Sequence, residues 1–152
     1  MDQLPAIVPV AESDYSRIVE VWEASVRATH DFLTEVDIQV MKPLILHEYL
    51  HAVELAAVRD EAGELIGFLG TADRKIEMLF VAPEARGKGV GRRLVEHAVG
   101  RLGCDSVDVN EQNPQAVGFY ERMGFRVSGR SERDGQGNPF PLLHMTLGGR
   151  SD

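Results

Sequence analysis

Cysteine is nearly absent: of 152 residues, only Cys104 carries a thiol. A single thiol excludes an internal disulfide and agrees with a reducing compartment. Long apolar runs are missing as well. None approaches the roughly 18 residues of a membrane helix, and no charged-then-apolar leader opens the chain. The expectation is therefore a cytoplasmic protein with no membrane partner. Basic charge is in deficit, with 16 Lys and Arg against 24 Asp and Glu and a net charge of −8. That balance argues against nucleic acid as a partner and suits an amine-bearing one. No repeat, low-complexity tract or linker interrupts the chain. One domain over residues 1–152 is expected, with an ordered core over about 4–147. A chain of this length buries about 68–70% of its unfolded surface, enough for a core without metals or disulfides.

Against this acidic background, Arg86-Gly87-Lys88-Gly89-Val90-Gly91-Arg92-Arg93 reverses the local charge. It follows a strand-like run, Lys75–Val81, and a turn at Pro83. It opens a helical pattern through Leu94, Val95, His97, Ala98 and Val99. A strand, a glycine-rich turn and a helix start make an anion site, because the first helical N–H groups lack intrahelical partners and the dipole adds positive potential. A Walker A loop fails here, since Arg92 and Arg93 follow Gly91 where Lys and Ser or Thr are required. A dinucleotide fingerprint fails because Arg92 stands where its third glycine belongs. The pattern R/Q-x-x-G-x-G/A is met in full by Arg86, Gly89 and Gly91.

The remaining elements read as an α/β chain in the order β-α-α-β-β-β-α-β-α-β-β. A short strand over residues 6–10 precedes a helix through Ile18, Val21, Trp22 and Val26. A second helix covers residues 36–50, with Pro43 inside or dividing it. Strands follow at 54–59, 65–72 and 75–81, then the loop and helix at 86–102 and a strand at 106–110. Asn113 and Pro114 supply an N-cap and a first helical residue, and Gly124 supplies the stop. Strands at 125–131 and 142–147 close the sheet, and the last five residues are expected to fray.

The segment from Asn110 to Phe125 carries Asn113, Ala116, Phe119, Tyr120, Gly124 and Phe125 in the order N-x-x-A-x-x-Y/F-Y-x-x-x-G-F. With the Arg86–Gly89–Gly91 pattern, it resembles the GNAT acetyltransferase superfamily across about a third of the chain. The stretches Val109 to Leu143 and Ala28 to Leu33 are similar to bacterial acetyltransferases of the YjaB type. The resemblance implies a mostly antiparallel GNAT-like sheet whose fourth and fifth strands splay apart, flanked by helices. It implies acetyl-coenzyme A as co-substrate, with no metal. It assigns cofactor contacts to Leu79, Phe80, Val81, Arg86, Gly87, Lys88, Gly89, Val90, Gly91, Arg92, Asn113 and Tyr120. It makes Tyr120 the proton donor to the departing sulfur.

A general base is harder to place. The strand position where some members carry Glu holds Lys75. Glu77 shares the face of Leu79 by alternation, and Asp108 stands five residues before Asn113; water-mediated deprotonation is the remaining option. His30, Phe32 and His144 are candidates for the acceptor pocket, each with a plain alternative as a packed ring. His47 and His51 sit four apart without a third ligand, so no metal is expected. The expected reaction is direct attack by a primary amine in a ternary complex. A small-molecule acceptor is favoured, with a protein N-terminus or lysine as the alternative. A non-catalytic acyl-coenzyme A sensor is the rival from another class. The oligomeric state is expected to be monomer or homodimer.

Overall fold

The computed structural model describes residues 6–135 and 137–148. The expected ordered start at residue 4 lies outside the described residues, as do residues 149–152 of the five expected to fray; Gly148, the first of those five, is tied down by its amide, which donates to Gly124 O at 3.1 Å. Seven strands form one sheet in the order β1-β2-β3-β4-β5-β7-β6. They are β1 (Ile7–Pro9), β2 (Glu54–Arg59), β3 (Leu65–Ala72), β4 (Lys75–Val81), β5 (Ser106–Asn110), β6 (Phe125–Ser131) and β7 (Leu142–Leu147). The four major helices are α1 (Tyr15–Thr29), α2 (Glu35–Leu44), α3 (Val90–Gly100) and α4 (Pro114–Arg122). The sheet is antiparallel except where β4 meets β5.

That exception creates the site. The parallel pairing covers only Lys75↔Ser106 and Ile76↔Val107. β5 then continues along β7 to Asn110↔Leu142, and β4 continues along β3 to Val81↔Gly67. From Glu77 to Val81, the β5-facing edge of β4 has no strand partner among the described residues, so the expected splay is present. A bulge falls at the same level: Gly70 pairs with Met78 and Thr71 with Ile76, leaving Glu77 as the extra residue. A bulge interrupts strict alternation. The alternation that sets Glu77 on the face of Leu79 is thus broken at Glu77 itself, while Ile76 and Leu79, opposite Thr71 and Leu69, share a face.

α1 packs on the face of the sheet that carries Phe68 and Phe80, whose rings lie 5.7 Å apart. Ile18, Val21, Trp22 and Val26 are its buried stripe, at helical spacing. α3 covers the opposite face. Its Val90 and Leu94 approach Gly67 so closely that a Cβ there would lie 2.8 Å from Val90 Cγ1. α4 sits beside α3, with Phe119 against Gly91, and packs on β5 and β6 through Tyr120 and Phe125.

The second helix is shorter than its periodicity suggests. α2 ends at Leu44, a π-helical turn takes Ile45–Tyr49, and a 3₁₀ turn takes Leu50–Ala52. Pro43 lies in the last turn of α2. Its missing N–H and its ring clash with the preceding turn disfavour regular i→i−4 bonding, and the winding changes directly after it.

Candidate active site

The loop after β4 is shaped for its role by two glycines. Gly87 and Gly89 hold φ of +78° and +83°, and nothing stands within 4 Å of where a Cβ would project. A side chain there would be strained, and the open space lets a ligand approach the backbone. Gly89 is the N-cap of α3, so the amides of Val90, Gly91 and Arg92 begin the helix without intrahelical partners. Arg86 reaches across to α4, its Nη2 donating to Gln115 Oε1 at 3.3 Å. Arg92 is exposed and pairs with Glu96 at 3.1 Å.

This loop forms one end of a cavity of about 680 Å³ that runs through the splay. Leu79, Phe80 and Val81 of β4 line one wall, and Asn113, Phe119 and Tyr120 line the other. Ser25, Thr29 and His30 close the far end from α1. Asn113 is also the N-cap of α4, its Oδ1 accepting from the Ala116 amide at 3.3 Å. The structure thus brings together Leu79, Phe80, Val81, Arg86, Gly87, Gly89, Val90, Gly91, Arg92, Asn113, Tyr120 and His30. Lys88 belongs to the same loop but does not line the cavity. The motifs gave no sign of Ser25, Thr29, Gln115 or Arg122, which do. Arg122 falls two residues after Tyr120 on α4 and adds a cation to the loop end.

Tyr120 is buried, 6% exposed, and sits edge-on to Phe119 at 5.1 Å and to Phe125 at 5.7 Å. Burial pushes its phenol well above the ordinary value, so it is protonated at neutral pH. Its hydroxyl has no hydrogen-bond partner among the described residues, yet none of their side-chain polar atoms is both buried and unpartnered. The hydroxyl therefore opens into the cavity that its ring lines.

The two carboxylate candidates lie outside the cavity lining. Glu77 is the exposed bulge residue of β4. Asp108 alternates with the buried Val107 and Val109 and so points to the opposite face of β5 from them. There it joins a polar row across four strands. Lys75 Nζ donates to Asp108 Oδ2 at 2.5 Å, and Asp108 Oδ1 lies 2.7 Å from His144 Nδ1. His144 Nε2 lies 2.6 Å from Ser131 Oγ. Burial works to raise the Asp108 carboxyl, but the bonds from Lys75 and His144 outweigh it and hold the group below its ordinary value. Asp108 is an ionised, doubly engaged carboxylate that ties β4 to β5 at the base of the splay, and His144 belongs to this row.

Phe32 also lies off the cavity lining. It packs on His30 at 5.2 Å and on Phe140 of the β6–β7 loop at 5.6 Å. Cys104 is buried away from the cavity, and burial raises its thiol. Among the described residues, no three His, Cys, Asp or Glu side chains gather as a metal site, and no helix is long and apolar enough to cross a membrane.

A splayed sheet with a glycine-rich anion loop at the start of α3 and a buried tyrosine on α4 defines an acetyltransferase architecture. The acetyltransferase (GNAT) domain family matches residues 24–147, and the chain belongs to that family. It is an N-acetyltransferase, and the family uses acetyl-coenzyme A.

Among individual relatives, peptidyl-lysine N-acetyltransferase YjaB of Salmonella typhimurium strain LT2 is 42% identical over 129 residues, 85% of this chain and 88% of that protein. The solution structure of apo YjaB from Escherichia coli superposes with a TM-score of 0.86 at 38% identity, covering 97% of this chain and all of that one. PaiA N-acetyltransferase from Thermoplasma acidophilum, solved in complex with coenzyme A, shares the fold with a TM-score of 0.70 at 21% identity, covering 95% of this chain and 99% of that one.

Proposed function

We propose that this protein transfers the acetyl group of acetyl-coenzyme A to the ε-amine of lysine residues in proteins, by direct attack in a ternary complex. The observation that carries the acceptor is the 42% identity to a peptidyl-lysine N-acetyltransferase over 85% of the chain. It moves the reading from the small amine favoured on sequence grounds to the protein amine.

The residues present fit the co-substrate. The open glycine loop with Arg86, Arg92 and Arg122 suits a pyrophosphate. The free edge of β4 from Glu77 to Val81 offers main-chain groups for the pantetheine arm, which would add to the sheet like a strand. In this reading, an N–H near Leu79 polarises the thioester carbonyl.

Tyr120 donates to the sulfur as the carbon–sulfur bond breaks. A free thiol has a pKa of about 8.5, so the departing thiolate is less basic than a buried phenolate. The phenol therefore acts as a hydrogen-bonded donor whose proton moves only as charge develops on sulfur, for a gain of roughly 10²–10⁴ in rate. Among the carboxylates, the engaged state of Asp108 and the exposure of Glu77 lend no support to either as the base.

The test is incubation of the purified protein with acetyl-coenzyme A and lysine-containing peptides, with mass spectrometry of the products and detection of released thiol. Acetyl-lysine formed at a rate above the uncatalysed background supports the reading. Transfer to free polyamines or amino acids, with none to peptides, overturns the acceptor. Tight uptake of acetyl-coenzyme A with no transfer to any amine overturns the enzymatic mechanism in favour of a sensor.

A further inference from the structure

His30 ends α1, and its backbone amide donates to Val26 O at 2.7 Å. Its ring is buried, with Nδ1 2.7 Å from Thr29 Oγ1. Thr29 Oγ1 is in turn 2.8 Å from the Ser25 carbonyl oxygen. A carbonyl only accepts, so the single hydroxyl proton of Thr29 is committed to Ser25. The Thr29 oxygen must then accept a hydrogen bond from His30, which makes Nδ1 the protonated nitrogen. Nε2 is left with a bare lone pair. Burial, working against the nearby Asp31 carboxylate, pushes the imidazole down to about 4, so the ring is neutral near pH 7.

The bare nitrogen is not sealed in the core. Among the described residues no group bonds to Nε2, yet none of their side-chain polar atoms is both buried and unpartnered. Nε2 is therefore part of the small accessible surface of this residue, which is 9% exposed in all. It opens onto the cavity that His30 lines together with Leu79, Phe80 and Tyr120. Phe32 at 5.2 Å and Phe80 at 6.5 Å flank the ring. A hydrogen-bond acceptor of fixed direction thus stands among apolar walls on the α1 side of the splay, the side away from α3.

We propose that His30 Nε2 receives an N–H of the attacking lysine amine, orients its lone pair toward the thioester carbon, and takes that proton as the carbon–nitrogen bond forms. The inference rests on the lysine-acetylation reading above. The lysine ammonium first loses one proton to water, because a base this weak takes none from a free ammonium of pKa about 10.4. The neutral amine attacks, and its nitrogen becomes positive and acidic as the new bond forms. One proton passes from that nitrogen to Nε2. The carbon–sulfur bond breaks, and the sulfur takes the proton of Tyr120. The phenolate recovers a proton from the imidazolium by way of water in the cavity. Acetyl-lysine and free thiol leave, with one net proton released to solvent.

Two variants separate the roles of the two ring nitrogens. His30→Asn keeps a donor toward Thr29 and has nothing at the position of Nε2. His30→Gln can place an amide oxygen there that accepts an N–H but takes no proton. The expected result for His30→Asn is a fall of about 100-fold in kcat with a raised KM for peptide. For His30→Gln, kcat falls while KM stays near wild type. Both variants are expected to melt cooperatively and to bind acetyl-coenzyme A with unchanged affinity by calorimetry.

Nitrogen NMR of labelled imidazole gives a second readout that needs no turnover. Nδ1 should be pyrrole-type and Nε2 pyridine-type, and the Nε2 signal should move when a lysine peptide is added. A pyrrole-type Nε2, or a folded His30→Asn variant with kcat within about threefold of wild type, overturns the proposal. Absence of transfer to peptides, with the Nε2 signal moving for another amine that is acetylated, would overturn only the lysine acceptor. A signal unmoved by every amine would overturn the role of His30 itself.

Discussion

Tyr120 and His30 face the same cavity, and burial acts on both in one sense: it favours the neutral ring. Their roles differ because a neutral phenol is a donor and a neutral imidazole with its proton on Nδ1 offers a lone pair. Tyr120→Phe removes only a hydroxyl that has no hydrogen-bond partner among the described residues. It should lower kcat by roughly 10²–10⁴ while acetyl-coenzyme A affinity, read by calorimetry, stays constant. An unchanged kcat with a working acceptor would remove Tyr120 from the mechanism. His30 also makes stability depend on pH. Its folded value of about 4 lies below the ordinary 6.5, so in that interval the unfolded chain binds a proton that the folded chain does not. The contribution is complete above pH 6.5 and is lost as pH falls through 4. At ~1.4 kcal/mol per unit it amounts to roughly 3 kcal/mol. Urea unfolding of wild type and His30→Asn between pH 7 and 4 should show the gap between them closing toward pH 4. A constant gap would mean that the ring is not held neutral.

At the scale of elements, the anion loop was legible because its parts are contiguous. A strand, two glycines that must adopt positive φ, and a helix start lie within twenty residues, and local physics is enough to specify them. The same is true of α4, where Asn113, Pro114 and Gly124 mark both ends. Gly89→Val should show what the loop requires. A β-branched residue at φ +83° is strained, so acetyl-coenzyme A affinity should fall at least tenfold by calorimetry while the sheet stays folded by circular dichroism. Unchanged affinity would mean that the loop does not hold the phosphates. Elements whose winding depends on neighbours were less readable. The helical period of residues 36–50 is continuous, yet the backbone passes from α to π to 3₁₀ winding after Pro43. The bulge at Glu77 has no marker in the sequence, since Lys75–Val81 contains neither glycine nor proline. It emerges only from pairing with β3.

For the molecule as a whole, ligand uptake through the splay should couple to global stability, since the cavity is built from α1, β4, α3 and α4 together. Acetyl-coenzyme A at 100 times its Kd adds about 2.7 kcal/mol to the folded state. In a chain of this size, that raises Tm by roughly 5–10 °C. Differential scanning fluorimetry with acetyl-coenzyme A, and with adenosine as a phosphate-free control, checks this. No shift at saturating concentration would contradict binding at the cavity.

From sequence alone came the family pattern, the order of elements and the glycine loop at the start of α3, because short-range chemistry encodes each of them. Glycines set backbone angles, caps end helices, and an aromatic on a helix keeps its spacing whatever lies opposite. Tertiary structure alone decided the hydrogen-bond partners of Asp108, His144 and His30. It drew Asp108 into a row with Lys75, His144 and Ser131, and it placed His30 over the cavity with its tautomer set by Thr29 and Ser25. The reason is that protonation and hydrogen-bond direction depend on which groups become neighbours and how far water is excluded, and strands thirty residues apart in the chain become neighbours only in the folded sheet.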